Sequence, residues 1–300
     1  QTHLFIHKIC HFYTIYLTTM MVVAVLLFNA IPMYYNFKSG ALSGNLTNNV
    51  TFQYSVYYAL PYEFEKTLYG LYSISIFNWY ISVHCSLCFC VFDVFQSLLI
   101  FHIWGHLKIL VNSIETFPRP KNKITTRSPC GEVTEIEWFG KEELQEIHSR
   151  FVEIIKHHQL ILIFREKMTN TLGYVLFIYY CIHQIMGCFL LLECSQLNAD
   201  VLMIYGPLFI ILFGQLLQLS IIFELLREMT DKLVKAVYDL PWECMDTNNR
   251  RICNIILMRS LKPLNLKLLD IINTGYEVMI SIVKNCISYF VMLKTVAIEG

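Results

Sequence analysis

Five stretches of this chain are long and apolar enough to cross a bilayer, and that narrows the fold before any motif is considered. A helical crossing needs about 20 apolar residues. Runs of that kind extend from about Phe12 to Met33, Leu71 to Trp104, Leu172 to Leu192, Val201 to Phe223 and Leu268 to Ile298. The last is the most polar of the five. Charged residues make up only 15% of the chain against 55% hydrophobic, too few charges to coat a water-soluble surface, where about 25% is usual. Gly 12 and Pro 8 are low counts and suit long helices rather than a barrel of turns. The formal net charge of +0 gives no sign of a nucleic-acid partner. Gln1 to Cys10 has neither an initiator Met nor a secretory signal, as in a piece of a longer protein.

Orientation follows from two independent signals. The polar segment between the first two runs carries the sequons Asn45-Leu46-Thr47 and Asn49-Val50-Thr51, which matter only outside the cytoplasm. Basic residues gather in two other places, at Arg119, Lys121, Lys123 and Arg127, and from Arg227 to Lys267. Positive segments stay inside. Both signals put the N-terminus inside, the C-terminus outside, and glycans at Asn45 and Asn49.

The helices are expected to outgrow the membrane. Glu65 to Glu115 contains no Pro, and one continuous helix of that length spans about 70 Å against a hydrocarbon core of about 30 Å. A second long helix is expected from Trp138 to Glu193. Its first half places Leu144, Ile147, Phe151, Ile154, His158 and Ile161 at alternating steps of three and four, an amphipathic seam. The chain therefore divides into transmembrane helices with a glycosylated external loop (1–110, the loop 34–67), a cytoplasmic loop and anchor helix (111–165), a transmembrane pair (166–226), a cytoplasmic anchor segment (227–265) and a last helix (266–300). The fold class expected is an all-α, polytopic membrane protein over a cytoplasmic helical base.

The chemistry of a catalyst is hard to find. "HCSLCFC", His84 to Cys90, has the Cys-x-x-Cys spacing of a zinc site, but a helix would splay those thiols around its axis and no second ligand pair follows. The eleven cysteines are irregularly spaced and odd in number, which argues against a disulfide framework. No nucleophile elbow, phosphate loop or zinc-protease motif occurs. We expect neither an enzyme, nor a metal, nor a cofactor.

The last run holds the most telling pattern. On a helical wheel Glu277, Ser281, Lys284, Asn285, Met292, Thr295 and Glu299 all fall within about 60° of Ser288, while Met279, Ile282, Cys286, Phe290, Leu293 and Ala297 take the other side. Polar residues inside a bilayer usually face water or a cavity. A stripe interrupted by Met292 reads as a pore wall with one apolar constriction. Lys294 lies off the stripe, where it can snorkel to the interface.

The C-terminal third resembles the insect odorant receptor family. The resemblance lies in "AVYDLPWECMD", with Tyr238 and Trp242 at the family's Tyr-x(3)-Trp positions, in "ILMRSLKPLNLK", with Arg259, Ser260 and Pro263, and in Ser288-Tyr289-Phe290. It implies a seven-helix protein of which helices three to seven are seen here. It also implies an odorant-binding subunit of a ligand-gated, non-selective cation channel in the plasma membrane of a sensory dendrite. Its partners would be the co-receptor subunit in a heterotetramer, a small volatile organic ligand, membrane lipid and cations. The family's pocket position points to Met21, Val25, Phe28, Ser75, Trp79, Met203, Tyr205 and Phe209, and the base to Tyr238, Trp242, Arg259 and Pro263 in assembly, with Pro263 breaking the chain between a short helix and the last span. The alternatives are a G-protein-coupled or gustatory-type seven-helix chemoreceptor. A transporter is the weaker option, since no internal repeat is visible.

Overall fold

The computed structural model describes every residue except 1, 41–51, 57, 59–66, 128–132, 196–198, 263–266, 269–271, 274 and 300. Asn45, Asn49 and Pro263 lie outside the described residues. Six α-helices dominate: α1 (Thr2–Lys38), α2 (Leu68–Glu115), α3 (Lys141–Cys194), α4 (Ala199–Tyr238), α5 (Thr247–Ser260) and α6 (Tyr276–Glu299), with a 3₁₀ turn at Trp242–Cys244. Five of them, all except α5, are long and apolar enough to cross a membrane.

The two long helices occur where expected: α2 runs unbroken for 48 residues and α3 for 54. Each is longer than a bilayer requires. Strands were not expected, and two hairpins are present. β1 (Asn122–Arg127) pairs antiparallel with β2 (Val133–Trp138), Ile124 opposite Ile136. Ile124, Thr125, Val133, Thr134 and Ile136 are β-branched, and such residues suit a pleated ribbon better than a helix end. β3 (Lys267–Leu268) pairs with β4 (Ile272–Asn273). This second hairpin delays the last helix, which begins at Tyr276 rather than near Leu268. Gly275, at φ 138°, makes the turn into α6 in a conformation that a side chain would disfavour.

The chain forms two compact units. One comprises residues 1–7, 99–177 and 221–275, the other residues 8–98, 178–220 and 276–300. The first has a close-packed apolar core. Ile100, Ile103, Leu107 and Leu110 of α2 are buried, as are Leu226, Leu233 and Val237 of α4. The seam on α3 is realised: Ile147, Phe151, Ile154, His158 and Ile161 are all buried, and Leu144 is half-buried. The Phe151 ring lies 5.1 Å from that of Phe117. Gly105 meets Ile6, so a side chain on α2 there would collide with α1. Asp246 caps α5, its carboxylate accepting from the amides of Asn248 and Asn249 at 3.3 and 3.4 Å. Asn249 then donates to the carbonyl of Leu144 at 3.2 Å and approaches His148 Nδ1 at 3.3 Å, which ties α5 to α3. Cys253 on α5 is buried, and burial pushes its thiol up from the ordinary value; it behaves as a small apolar group.

The second unit is built differently. Its helices expose Phe12, Ile15, Val22, Ile76, Val91 and Ile210, and several of its polar residues, Asn29, Asn78, Asp93 and His183 among them, are buried. Thr14, Thr18 and Thr19 each donate to the carbonyl four residues back at 2.8 Å, so α1 carries hydroxyls without unmet bonds. Asn36, buried near the end of α1, holds the returning chain by a reciprocal pair: its side chain donates to the carbonyl of Gln53 at 2.6 Å and accepts from the Gln53 amide at 2.8 Å.

Candidate functional site

Four helices of the second unit each turn one face to a common cavity of about 300 Å³. From α1 come Met21, Ala24, Val25 and Phe28. From α2 come Ser82, Cys85, Ser86 and Phe89. From α3 come Ile182, His183, Met186 and Leu190, and from α4 Leu208, Ile211, Leu212 and Gln215. Each set advances by three or four residues, the step that keeps side chains on one stripe of a helix. The wall is aliphatic, thioether and aromatic, with few polar groups, the composition of a pocket for a small organic molecule.

One end of the cavity is polar. His183 is 2% exposed, and its ring stacks at 4.0 Å on Tyr179 and meets Phe89 edge-on at 6.4 Å. Beyond Gln215 lies Asp93, itself buried on α2. Gln215 Nε2 donates to Asp93 Oδ2 at 3.0 Å and Gln96 Nε2 donates to Asp93 Oδ1 at 3.3 Å. Tyr13 and Ser97 join hydroxyl to hydroxyl at 2.9 Å. A second, wholly apolar cavity of about 630 Å³ opens between α1 and α4, lined by Ile31, Tyr34, Tyr35, Met203, Pro207 and Ile210 among others. Tyr35 donates to the Met203 sulfur at 3.3 Å.

Of the residues expected to contact ligand, Met21, Val25 and Phe28 come together in the first cavity and Met203 lines the second. Ser75, Trp79, Tyr205 and Phe209 line neither; all four are half-buried, and Phe209 stacks on Phe213 at 4.6 Å. On α2 the wall uses residues 82–89 where Ser75 and Trp79 were expected, and on α4 residues 208–215 where Met203, Tyr205 and Phe209 were expected. The shift is about two to three turns along α2 and about two along α4.

The last helix divides as its wheel suggests. Ile282 and Cys286 are 4% and 0% exposed. Cys286 fits against α3, its thiol 3.3 Å from the carbonyl of Gln184, and a Cβ on Gly187 would stand 3.0 Å from the same sulfur. Glu277, Ser281, Lys284, Asn285, Ser288 and Thr295 are exposed, and so is Met292 at 54%. The side chain of Glu299 lies outside the described residues. The polar stripe thus lies within the face that this chain leaves uncovered, a face that Ile287, Tyr289 and Val291 share.

Residues 2–287 match the 7tm Odorant receptor family. The chain belongs to that family. Over 159 residues, 52% of its length, it is 21% identical to odorant receptor 10 of Aedes albopictus, and it spans 42% of that receptor. Its fold resembles that of the insect olfactory receptor OR5 from Machilis hrabei in complex with eugenol, with a TM-score of 0.74 at 14% identity, over 98% of this chain and 68% of the other. A second structure of OR5 gives 0.73 at 15%, over 97% and 67%. At such identities the likeness speaks to the fold: an odorant receptor chain that is a multi-pass membrane protein.

In this odorant receptor chain three polar residues of the cavity region escaped the sequence reading: Asp93, His183 and Gln215. A signal was available for two of them. An ionisable side chain in the middle of a membrane-length apolar run is costly, and its position is by itself a pointer to a site. Gln215, uncharged in a leucine-rich stretch, is distinguished only by what it touches.

Proposed function

We propose that this chain is the odorant-binding subunit of a ligand-gated, non-selective cation channel in the plasma membrane of a sensory dendrite, assembled with the co-receptor as a heterotetramer. The observation that carries the reading is the division of α6. Ile282 and Cys286 are sealed against the chain's own helices, while Ser281, Asn285, Ser288, Met292 and Thr295 face outward. A polar stripe exposed on an otherwise apolar membrane helix is unfavourable toward lipid and well placed to meet water in a shared pore. Met292 is the apolar ring of that stripe and serves as the gate, which closes by excluding water. Glu277 and Glu299 favour cations at the two ends.

A volatile organic ligand occupies the cavity that Met21, Val25 and Phe28 help to wall. OR5 was solved in complex with eugenol, a molecule of the size such a cavity admits. Ser75, Trp79, Met203, Tyr205 and Phe209 lie along the same helices outside that cavity, Met203 in the wall of the second one. The N-terminus is cytoplasmic and the C-terminus external, with the stretches 111–165 and 227–265 forming a cytoplasmic base, Asn45 and Asn49 glycosylated, and residues 266–300 carrying the pore helix. Tyr238, Trp242 and Arg259 remain exposed and, with Pro263, belong to assembly with the partner subunits.

Met292→Ser, co-expressed with the co-receptor, is expected to give current without odorant, and a charge change at Glu299 to shift ion selectivity. Silence of Met292→Ser at normal surface levels removes Met292 as the gate. An epitope at the C-terminus that is inaccessible on intact cells overturns the orientation.

A further inference from the structure

We infer that the cavity selects ligands that carry a hydrogen-bond donor, an alcohol or phenol hydroxyl above all, and that His183 is the residue that reads it. This rests on the odorant reading only in taking the cavity as a ligand site. His183 Nδ1 lies 3.0 Å from the carbonyl of Tyr179, one turn earlier on α3. A carbonyl oxygen can only accept, so Nδ1 carries the proton. In the neutral ring the other nitrogen, Nε2, is then a lone-pair acceptor. It points away from the α3 backbone, it is buried, and it has no hydrogen-bond partner among the described residues.

The protein has little to offer that acceptor. Gln215 lies against the His183 side chain, but its amide nitrogen is committed to Asp93 at 3.0 Å, with the sulfur of Met21 at 3.8 Å on the same group, and makes no hydrogen bond to Nε2. Asp93 holds Gln215 in that position, and Gln96 holds Asp93. Phe89 and Tyr179 fix the plane of the imidazole. The result is a rigid, desolvated acceptor in the wall of an otherwise apolar chamber. A buried acceptor left unmet is costly, and a site built around one discriminates strongly against an analogue that lacks the matching hydroxyl. An ether or ketone of the same size brings only acceptors and sets lone pair against lone pair. The chamber of about 300 Å³ has room for about ten water-sized groups, so the ligand class is a compact apolar body with one hydroxyl.

The test uses matched series on three scaffolds: 1-octanol, octyl methyl ether and 2-octanone; eugenol and its O-methyl ether; and menthol, menthyl methyl ether and menthone. Binding is read by thermal shift on the purified full-length receptor in nanodiscs, so a failure of channel function leaves this result intact. At least one hydroxyl compound is expected to bind about tenfold or more tightly than its methyl ether. In His183→Phe that ratio is expected to fall toward one, while Phe89→Leu weakens both members and keeps the ratio. Equal binding of ethers and alcohols in the unaltered receptor, binding confined to ketones, or no binding by any hydroxyl compound overturns the inference, and none of these outcomes depends on whether His183→Phe folds.

Discussion

The unit formed by residues 1–7, 99–177 and 221–275 buries Ile103, Leu107, Ile147, Phe151 and Leu233 together, whereas the unit formed by residues 8–98, 178–220 and 276–300 buries Asp93, Gln96, Ser97, His183 and Ser220. Among the described residues, nine buried polar side chains belong to the second unit and four to the first. Most of the exposed large apolar residues also belong to the second. On the membrane arrangement proposed above, the contrast reflects two solvents. In water, removing apolar area from solvent drives packing. In lipid that force between helices is absent, because the acyl chains are as apolar as leucine, and small contacts and interhelical hydrogen bonds take over. One chain, whose helices α1, α2, α3 and α4 contribute to both units, is thus held by two different kinds of interaction.

The largest effect is expected from cutting into the apolar core. Phe151 is fully buried and stacks on Phe117 at 5.1 Å. Phe151→Ala should destabilise the first unit by about 3–5 kcal/mol, from lost transfer energy and a cavity. Thermal unfolding in nanodiscs measures it, with surface expression as a second reading. A loss smaller than that caused by Asp93→Leu would dissolve the contrast between the units.

The two units were also legible to different degrees. The seam Ile147, Phe151, Ile154, His158 and Ile161 is periodic, and periodicity is what apolar packing against water leaves in a sequence. It could be read directly. The spans could be found for the same reason, since length and hydropathy are local properties. What faces what inside the second unit left no period, because both lipid and cavity accept apolar side chains. Met21, Val25 and Phe28 were within reach, because the pocket position implied by the family resemblance falls on the part of α1 that walls the cavity. The faces of α3 and α4 that complete it, and the joining of Asp93 to Gln215 across 122 positions, depend on the packing of distant helices. The hairpins were missed because β1 and β2 are six residues each, short enough to read as loop between long helices.

A middle-sized effect belongs to the polar interior. Asp93→Leu removes the acceptor of both Gln96 and Gln215. The buried Gln96 amide then loses its acceptor, at about 1–3 kcal/mol before relaxation, and the half-buried Gln215 amide keeps only the sulfur of Met21 at 3.8 Å. Asp93→Asn retains one carbonyl oxygen and should recover part of the loss. The order expected in thermal unfolding is Asp, then Asn, then Leu. Buried ionic groups can sometimes be replaced by well-packed apolar ones at no cost, so a Leu variant more stable than the Asn variant would show that shape, not hydrogen bonding, holds this interior together.

The smallest effect tests whether the first unit is as purely apolar as its core suggests. Asp246 caps α5 through the amides of Asn248 and Asn249, and loss of such a cap costs about 1 kcal/mol. Here the consequence extends past the helix end. Asn249 is buried, and its side chain reaches the Leu144 carbonyl on α3, so a frayed first turn would withdraw a contact between two helices as well as two capped amides. Asp246→Ala should therefore cost somewhat more than an isolated cap, and Asp246→Ser, which retains a capping oxygen, should restore most of it. Asn249→Ala separates the two contributions. If the double variant Asp246→Ala/Asn249→Ala loses no more than the larger of the single losses, cap and cross-link act as one unit. If the losses add, the cap stabilises α5 alone, and the α3–α5 junction depends on Ile147, Phe151 and their apolar neighbours without help from Asp246.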